Sequence, residues 1–177
     1  AASGFDLEPY APGIINNVGL YSKKYKSFDE LPTGATVAIA NDPINSGRGL
    51  QLLAKAGLIT LKPGVGYKAT EDDITANSKK LKLIQVEAVQ LVRAYDDADL
   101  VQGYPAYIRL AKTFDAGSAI LFDGLDHPEY VIQFVIKPDH KNDPRLAKFI
   151  DIYQHSPVVR ASLDKVNGSL YQVGWKN

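Results

Sequence analysis

Residues 36–58 read TVAIANDPINSGRGLQLLAKAGL, and their pattern changes period twice. Thr36 to Ala40 is a compact apolar run with β-branched residues, which predicts a buried strand. From Ile44 to Leu58, the residues Leu50, Leu52, Leu53, Ala54 and Ala56 line one face of a helix. Gly57 is placed to stop that helix. Between the two lies NDPINSGRGL, a polar turn with glycines and one arginine, Arg48. A strand that empties into such a turn and then a helix is a common place to hold a ligand. Strand, turn and helix in this order also predict the βα unit of an α/β fold.

The flanking sequence repeats the alternation. Short strands are predicted at Gly19–Tyr21, in ITLKPG, at Leu81–Val86 and from Asp99 to Val101. Helices are predicted at Ala88–Tyr95 and Tyr104–Lys112. Ser118–Phe122 and Tyr130–Ile136 are apolar. Two helical segments fill Asp143–Val166, parted where Ser156 caps and Pro157 occupies the first helical position. Ser27–Glu30 (SFDE) has the spacing of a capping box opening one helical turn before Pro32, and Thr70–Asp73 (TEDD) is a second candidate. Alternating strands and helices predict an α/β fold with a mostly parallel sheet. No Gly/Ser/Pro-rich linker is present, so two lobes would be joined by strands crossing between them.

Composition bounds the function. At 177 residues, 45% hydrophobic and 23% charged, the chain is globular and long enough for one domain or two small lobes. Lys plus Arg and Asp plus Glu are both 20, so no global field steers it to nucleic acid or anionic lipid. No apolar run approaches the roughly 20 residues of a membrane-spanning helix. Cysteine is absent, which excludes disulfides, thiolate catalysis and Cys-ligated zinc. The opening AASGFDLEPY has no initiator Met, no basic segment and no apolar stretch of the signal-peptide type. It reads as a piece of a longer precursor.

The NDPINSGRGL turn is the first candidate site. A helix N-terminus exposes N–H groups and partial positive charge to an anion. Arg48 adds a planar fork suited to a carboxylate, and Asn41, Asn45 and Ser46 supply neutral hydrogen-bonding groups. A plainer reading has Asp42 or Asn45 capping the helix, Pro43 starting it and Arg48 facing solvent. The turn lacks the Gly-Lys-Ser/Thr of a P-loop. In QGYPAYIRLAKTF, Tyr104 and Tyr107 follow a predicted parallel strand, where α/β sheets bind ligands, or else pack at helical spacing. His127, His140 and His155 have no metal-ligand spacing, and no metal or cofactor is expected. Asp96, Asp97 and Asp99, like Glu71, Asp72 and Asp73, sit where solvated helix ends carry charge. No nucleophile motif occurs, so no catalytic residue is assigned and an enzyme is not expected.

The segments LYSKK, DELPTGATVAI, NDP-x-N-x-GR and LLAKAGLI-x-LK-x-G-x-G, in this order, resemble the NlpA/MetQ lipoproteins. These are the substrate-binding proteins of methionine ABC importers. The resemblance continues through EDDITANSKKLKLIQVEAVQLVRAYDDAD to the closing GW. It implies a periplasmic-binding-protein type α/β fold of two lobes with an amino acid held between them. Lobe 1 would retain residues 1–25, lobe 2 would span 26–115, and 116–177 would return to lobe 1 with the C-terminal helices. It implies that Arg48 binds the ligand α-carboxylate, with Asn45, Asn41, Tyr104 and Gln102 nearby. The family's asparagine in the VQGYPAY segment is here represented by Gln102 and Tyr104, and a second one expected near YVIQFVI is missing. The implied partners are methionine or a related amino acid and an ABC permease, at a periplasmic or cell-surface location with a lipid anchor on the precursor. The family's N-terminal strand–helix–strand portion is expected to be lacking, leaving a truncated first lobe whose open strand edges invite a strand-exchanged homodimer. Two other functions compete with this one. One is an α/β enzyme on a small carboxylate, with Asp99 as base; the other is a surface or interaction protein without transport duty.

Overall fold

The computed structural model describes residues 4–176. In chain order the elements are β1 (Glu8–Pro12), β2 (Ile14–Asn16), β3 (Gly19–Tyr21), β4 (Thr36–Ala40), α1 (Pro43–Lys55), β5 (Thr60–Leu61), β6 (Ile74–Ala76) and β7 (Lys82–Val86). They continue with α2 (Leu91–Asp97), β8 (Leu100–Gly103), α3 (Pro105–Ala111), β9 (Leu121–Phe122), β10 (Gln133–Ile136), α4 (Pro144–His155), α5 (Pro157–Asn167) and β11 (Tyr171–Val173). The chain packs as two compact units, Asn17–Gly124 and Ala1–Asn16 with Leu125–Asn177. The sequence reading places these crossings at 25/26 and 115/116.

The unit Asn17–Gly124 is built on a five-stranded sheet of order β7-β4-β8-β3-β9. β4 runs parallel to β7 and β8, while β3 is antiparallel to both β8 and β9. Four strands therefore share one direction and β3 opposes them, in keeping with the expected mostly parallel sheet. Successive side chains of a strand point to opposite faces, and β4 uses both. Val37 and Ile39 pack with Leu50, Leu52 and Leu53 of α1. Ala38 and Ala40 pack with Leu91 of α2 and with Ala98 and Val101. A helix thus covers each face of the sheet, which is why TVAIA is apolar throughout rather than alternating.

The cap residues of α1 act as their positions suggest. Asp42 is the N-cap, accepting from Asn45 N at 3.1 Å, and Pro43 takes the first helical position. At the other end Gly57 adopts φ +73°. Its N–H donates to Ala54 O at 2.9 Å and that of Leu58 to Leu53 O at 3.1 Å, the paired bonds of a Schellman ending. A side chain at Gly57 would strain that left-handed conformation.

The other unit pairs β1 with β10 and β11 with β2, all antiparallel. Ile14, Ile15 and Tyr171 are buried. Phe134 meets the rings of Tyr153 and Phe149 edge-on at 4.8 and 5.8 Å, seating α4 on β10. α4 and α5 begin at Pro144 and Pro157, each behind its cap residue, Asp143 and Ser156.

Three local expectations change. Residues 27–30 form a turn and no helix. Glu30 accepts from Lys26 N at 2.8 Å rather than closing a box on Ser27, and Pro32 leaves no room for a second turn. The helix expected from Ala88 begins as a 3₁₀ turn at Ala88–Gln90 before α2. β1, β2, β6 and β11 were not foreseen. Pro9 and Pro12 in β1 cannot donate to a ladder, yet a two-stranded ribbon with a bulge between Pro9 and Ala11 accommodates them. The TEDD box does form: Asp73 accepts from Thr70 N and Oγ1, each at 3.0 Å.

Candidate functional site

Hydrogen bonds hold the turn after β4 at Asn41, Asp42 and Asn45. Asn41 N extends the parallel ladder to Val86 O at 2.9 Å. The side-chain amide of Asn45 donates to both oxygens of Asp42, at 3.1 and 2.9 Å, so it secures the cap. From β8, Gln102 reaches under this turn with no exposed surface. Its Oε1 accepts from Ala40 N at 2.9 Å, and its Nε2 donates to Asn45 O at 2.9 Å and to the Tyr104 hydroxyl at 3.0 Å. The end of β4, the first turn of α1 and the start of α3 are thereby wired to one amide.

Both glycines around Arg48 are required by close packing. A Cβ on Gly49 would lie 2.7 Å from Gln102 Oε1, and one on Gly47 would run into the Tyr67 carbonyl. The helix can lie this close to β8 and to the 66–69 turn only without those side chains.

Arg48 itself is 6% exposed. Its Nε donates to Asp123 Oδ2 at 2.6 Å, and both side chains are 7% exposed. This removes the reading in which Arg48 faces solvent. Asp123 follows β9 and is held from several sides. Its Oδ1 accepts from Val18 N at 2.9 Å, its own N–H donates to Val18 O at 2.9 Å, and Lys55 Nζ donates to its carbonyl at 2.6 Å. Tyr104 sits within the field of Arg48, Asp42 and Asp123, and burial pushes its hydroxyl pKa up strongly. The phenol is therefore protonated at neutral pH and can donate while accepting from Gln102. Tyr107 is 40% exposed, 5.7 Å from the Tyr104 ring.

A cavity of about 360 Å³ opens at the N-terminal end of α1, within the roughly 300–1,000 Å³ range of small-molecule pockets. Asn41, Ile44 and Ser46 form one wall; Thr70, Glu71 and Gln85 lie among the residues of the other. Of the five expected site residues, Asn41 lines this cavity. Gln102, Tyr104 and Asn45 are joined by hydrogen bonds, Arg48 is paired with Asp123, and none of the four lines the cavity. Sequence reasoning missed Asp123. A lone Asp after a short strand carries no signal, and its partner lies 75 residues away. The linings at Thr70 and Gln85 were equally silent.

The other titratable candidates are absorbed locally. Asp99 accepts from Thr36 N at 2.8 Å and from Lys24 Nζ at 3.1 Å; the Thr36 N–H holds its carboxyl below the usual range. A carboxylate so stabilised is a poor base. His127, His140 and His155 lie beside Glu129, Asp139 and Asp151. Among the described residues no group of three metal-ligating side chains is assembled. No helix among them is long and apolar enough to cross a membrane.

The profile of the NlpA lipoproteins matches residues 1–175. The chain belongs to the NlpA lipoprotein family. It is 39% identical, over 97% of its length, to the D-methionine-binding lipoprotein MetQ of Salmonella typhimurium, and spans 64% of that relative. Among solved structures, a periplasmic substrate-binding protein of an ABC transporter from Coxiella burnetii superposes with TM-score 0.87 at 35% identity, covering 97% of this chain and 72% of that one. A nutrient-binding protein from Burkholderia cenocepacia bound to methionine gives 0.89 at 33%, covering 98% and 73%. The fold of this NlpA member is thus the α/β type of periplasmic binding proteins, as the resemblance of its NDP-x-N-x-GR turn implies. The chain covers slightly less than two thirds of the curated relative.

Proposed function

We propose that this NlpA-family chain is the solute-binding part of an ABC importer and takes an amino acid, methionine or a close analogue, by its carboxylate. The observation that carries this is Arg48: a nearly dry guanidinium, held in one orientation, in the second turn of α1 and behind its capped N-terminus. Charge attraction rises as water is excluded, and a guanidinium matches a carboxylate geometrically. The helix terminus adds N–H donors of the same sign. Asn41 and Tyr104 are assigned to the ligand. Gln102 and Asn45 are assigned to holding the turn. Relatives that bind methionine support the substrate class, and the lipoprotein family supports a lipid-anchored place at the periplasmic or outer cell surface beside a permease.

A thermal-shift series with the standard amino acids tests the assignment. Methionine is expected to raise the melting temperature, since a ligand at 100 times its Kd adds about 2.7 kcal/mol of stability. Arg48→Ala is expected to weaken binding at least about 30-fold, the lower end for losing one partner of a buried charge contact. A response to methionine that survives intact in Arg48→Ala would overturn the assignment.

A further inference from the structure

Arg48 already holds a carboxylate of the protein's own. Asp123 Oδ2 lies 2.6 Å from its Nε, and both groups are almost fully buried. We propose that Asp123 is a built-in counter-carboxylate: it satisfies the guanidinium when no amino acid is bound, and then opposes the incoming ligand carboxylate by like-charge repulsion, setting the affinity of the site below its maximum. The proposal rests on the reading of Arg48 as the carboxylate-binding group.

The geometry explains why Asp123 cannot withdraw when a second anion arrives. Its Oδ1 is fixed by Val18 N at 2.9 Å. Its backbone is fixed by Val18 O and by Lys55 Nζ at 2.9 and 2.6 Å. Lys55 also donates to Phe122 O at 3.1 Å. Arg48 and Lys55 lie two turns apart on α1 and grip the same short segment, Arg48 by its side-chain acid and Lys55 by its carbonyls. The acid is therefore anchored by its own segment.

Two anions on one cation repel each other in a low-dielectric site. Removing the acid takes a carboxylate partner from a nearly buried arginine, which destabilises. Asp123 therefore stabilises the empty protein at the expense of ligand affinity. For a carrier that must later release its cargo, such a balance keeps binding reversible.

The test compares wild type, Asp123→Asn, Lys55→Ala and Arg48→Ala as full 177-residue chains, with methionine and with methioninamide, which lacks the carboxylate. Asp123→Asn is expected to melt below wild type without ligand and to show a larger methionine-induced rise. Its affinity for methionine in calorimetry should be higher by about tenfold or more, because a like-charge juxtaposition is relieved. Methioninamide should gain nothing from the substitution. Lys55→Ala should lower stability and, by loosening the segment that holds Asp123 in place, raise the affinity for methionine by less than Asp123→Asn does. If Asp123→Asn is unfolded alone but folds when methionine is added, the ligand supplies the missing counter-charge and the proposal stands; if it stays unfolded in both, the proposal falls. It falls also if Asp123→Asn folds and binds methionine no better than wild type while Arg48→Ala has lost binding. A wild-type chain that does not respond to methionine overturns the carboxylate reading first, and this inference with it.

Discussion

At the scale of single residues, the site owes its shape to groups that never need to touch a ligand. Gln102 joins three elements through one buried amide. Replacing it with Leu keeps much of the volume but leaves Ala40 N–H and Asn45 C=O buried without this partner. At about 1–3 kcal/mol for each unsatisfied group, Gln102→Leu is expected to lose about 2–6 kcal/mol in urea unfolding. A loss under about 1 kcal/mol would show that neither bond matters. Arg48 drew attention as a lone arginine in a polar strand-to-helix turn, but its spacing fits a solvent-facing side chain as well, and the family resemblance is what assigns it to a carboxylate. Gly47 and Gly49 were visible as glycines but not explicable, since the atoms they make room for belong to Tyr67 and Gln102. Asp123 was invisible for the same reason. Its meaning comes from a contact across the fold.

At the scale of elements, periodicity read best where one segment buries an entire face. TVAIA is β4 to the residue, and Asp42, Pro43 and Gly57 frame α1. Pro157 marked the start of α5; Pro144, which opens α4 in the same way, was not singled out. Reading failed where burial is partial: β1, with two prolines, is a ribbon strand with only partly covered side chains, so no apolar run announces it. SFDE failed because a capping box states a preference of four residues, and Pro32 decided the outcome.

The junction of β4 with its neighbours also yields a pH dependence. Asp99 ties the first residue of β4 to the start of β8, and its carboxyl is held below its ordinary value of 3.8. A depressed folded-state pKa stabilises above the unfolded value and ceases to do so as pH falls through the folded one. Asp99→Asn is expected to be less stable than wild type at pH 7, with the gap closing as pH drops below about 3.8. A gap constant from pH 7 to pH 3 would show that Asp99 contributes no charge-dependent stability.

At the scale of the whole molecule, burial is uneven. Most of the fully buried side chains lie in Asn17–Gly124, including Tyr21, Ile39, Leu53 and Leu100. In the other unit α4 has no buried residue, and Phe149 and Val158 are 54% and 73% exposed. The residues assigned to the site all sit in the better-packed unit, where a guanidinium can be kept dry and oriented. The fold class and the family were readable from the order of motifs along the chain. The division at Asn17 and Gly124 was not, because it depends on which short strands pair. The central claim is that Arg48 meets the carboxylate of an amino acid. A crystal structure of the chain with methionine tests it most directly. A ligand carboxylate oxygen within about 3.2 Å of a guanidinium nitrogen of Arg48 is the predicted result. Methionine ordered elsewhere on the protein, with Arg48 still engaged by Asp123 and no ligand oxygen near it, would contradict the account.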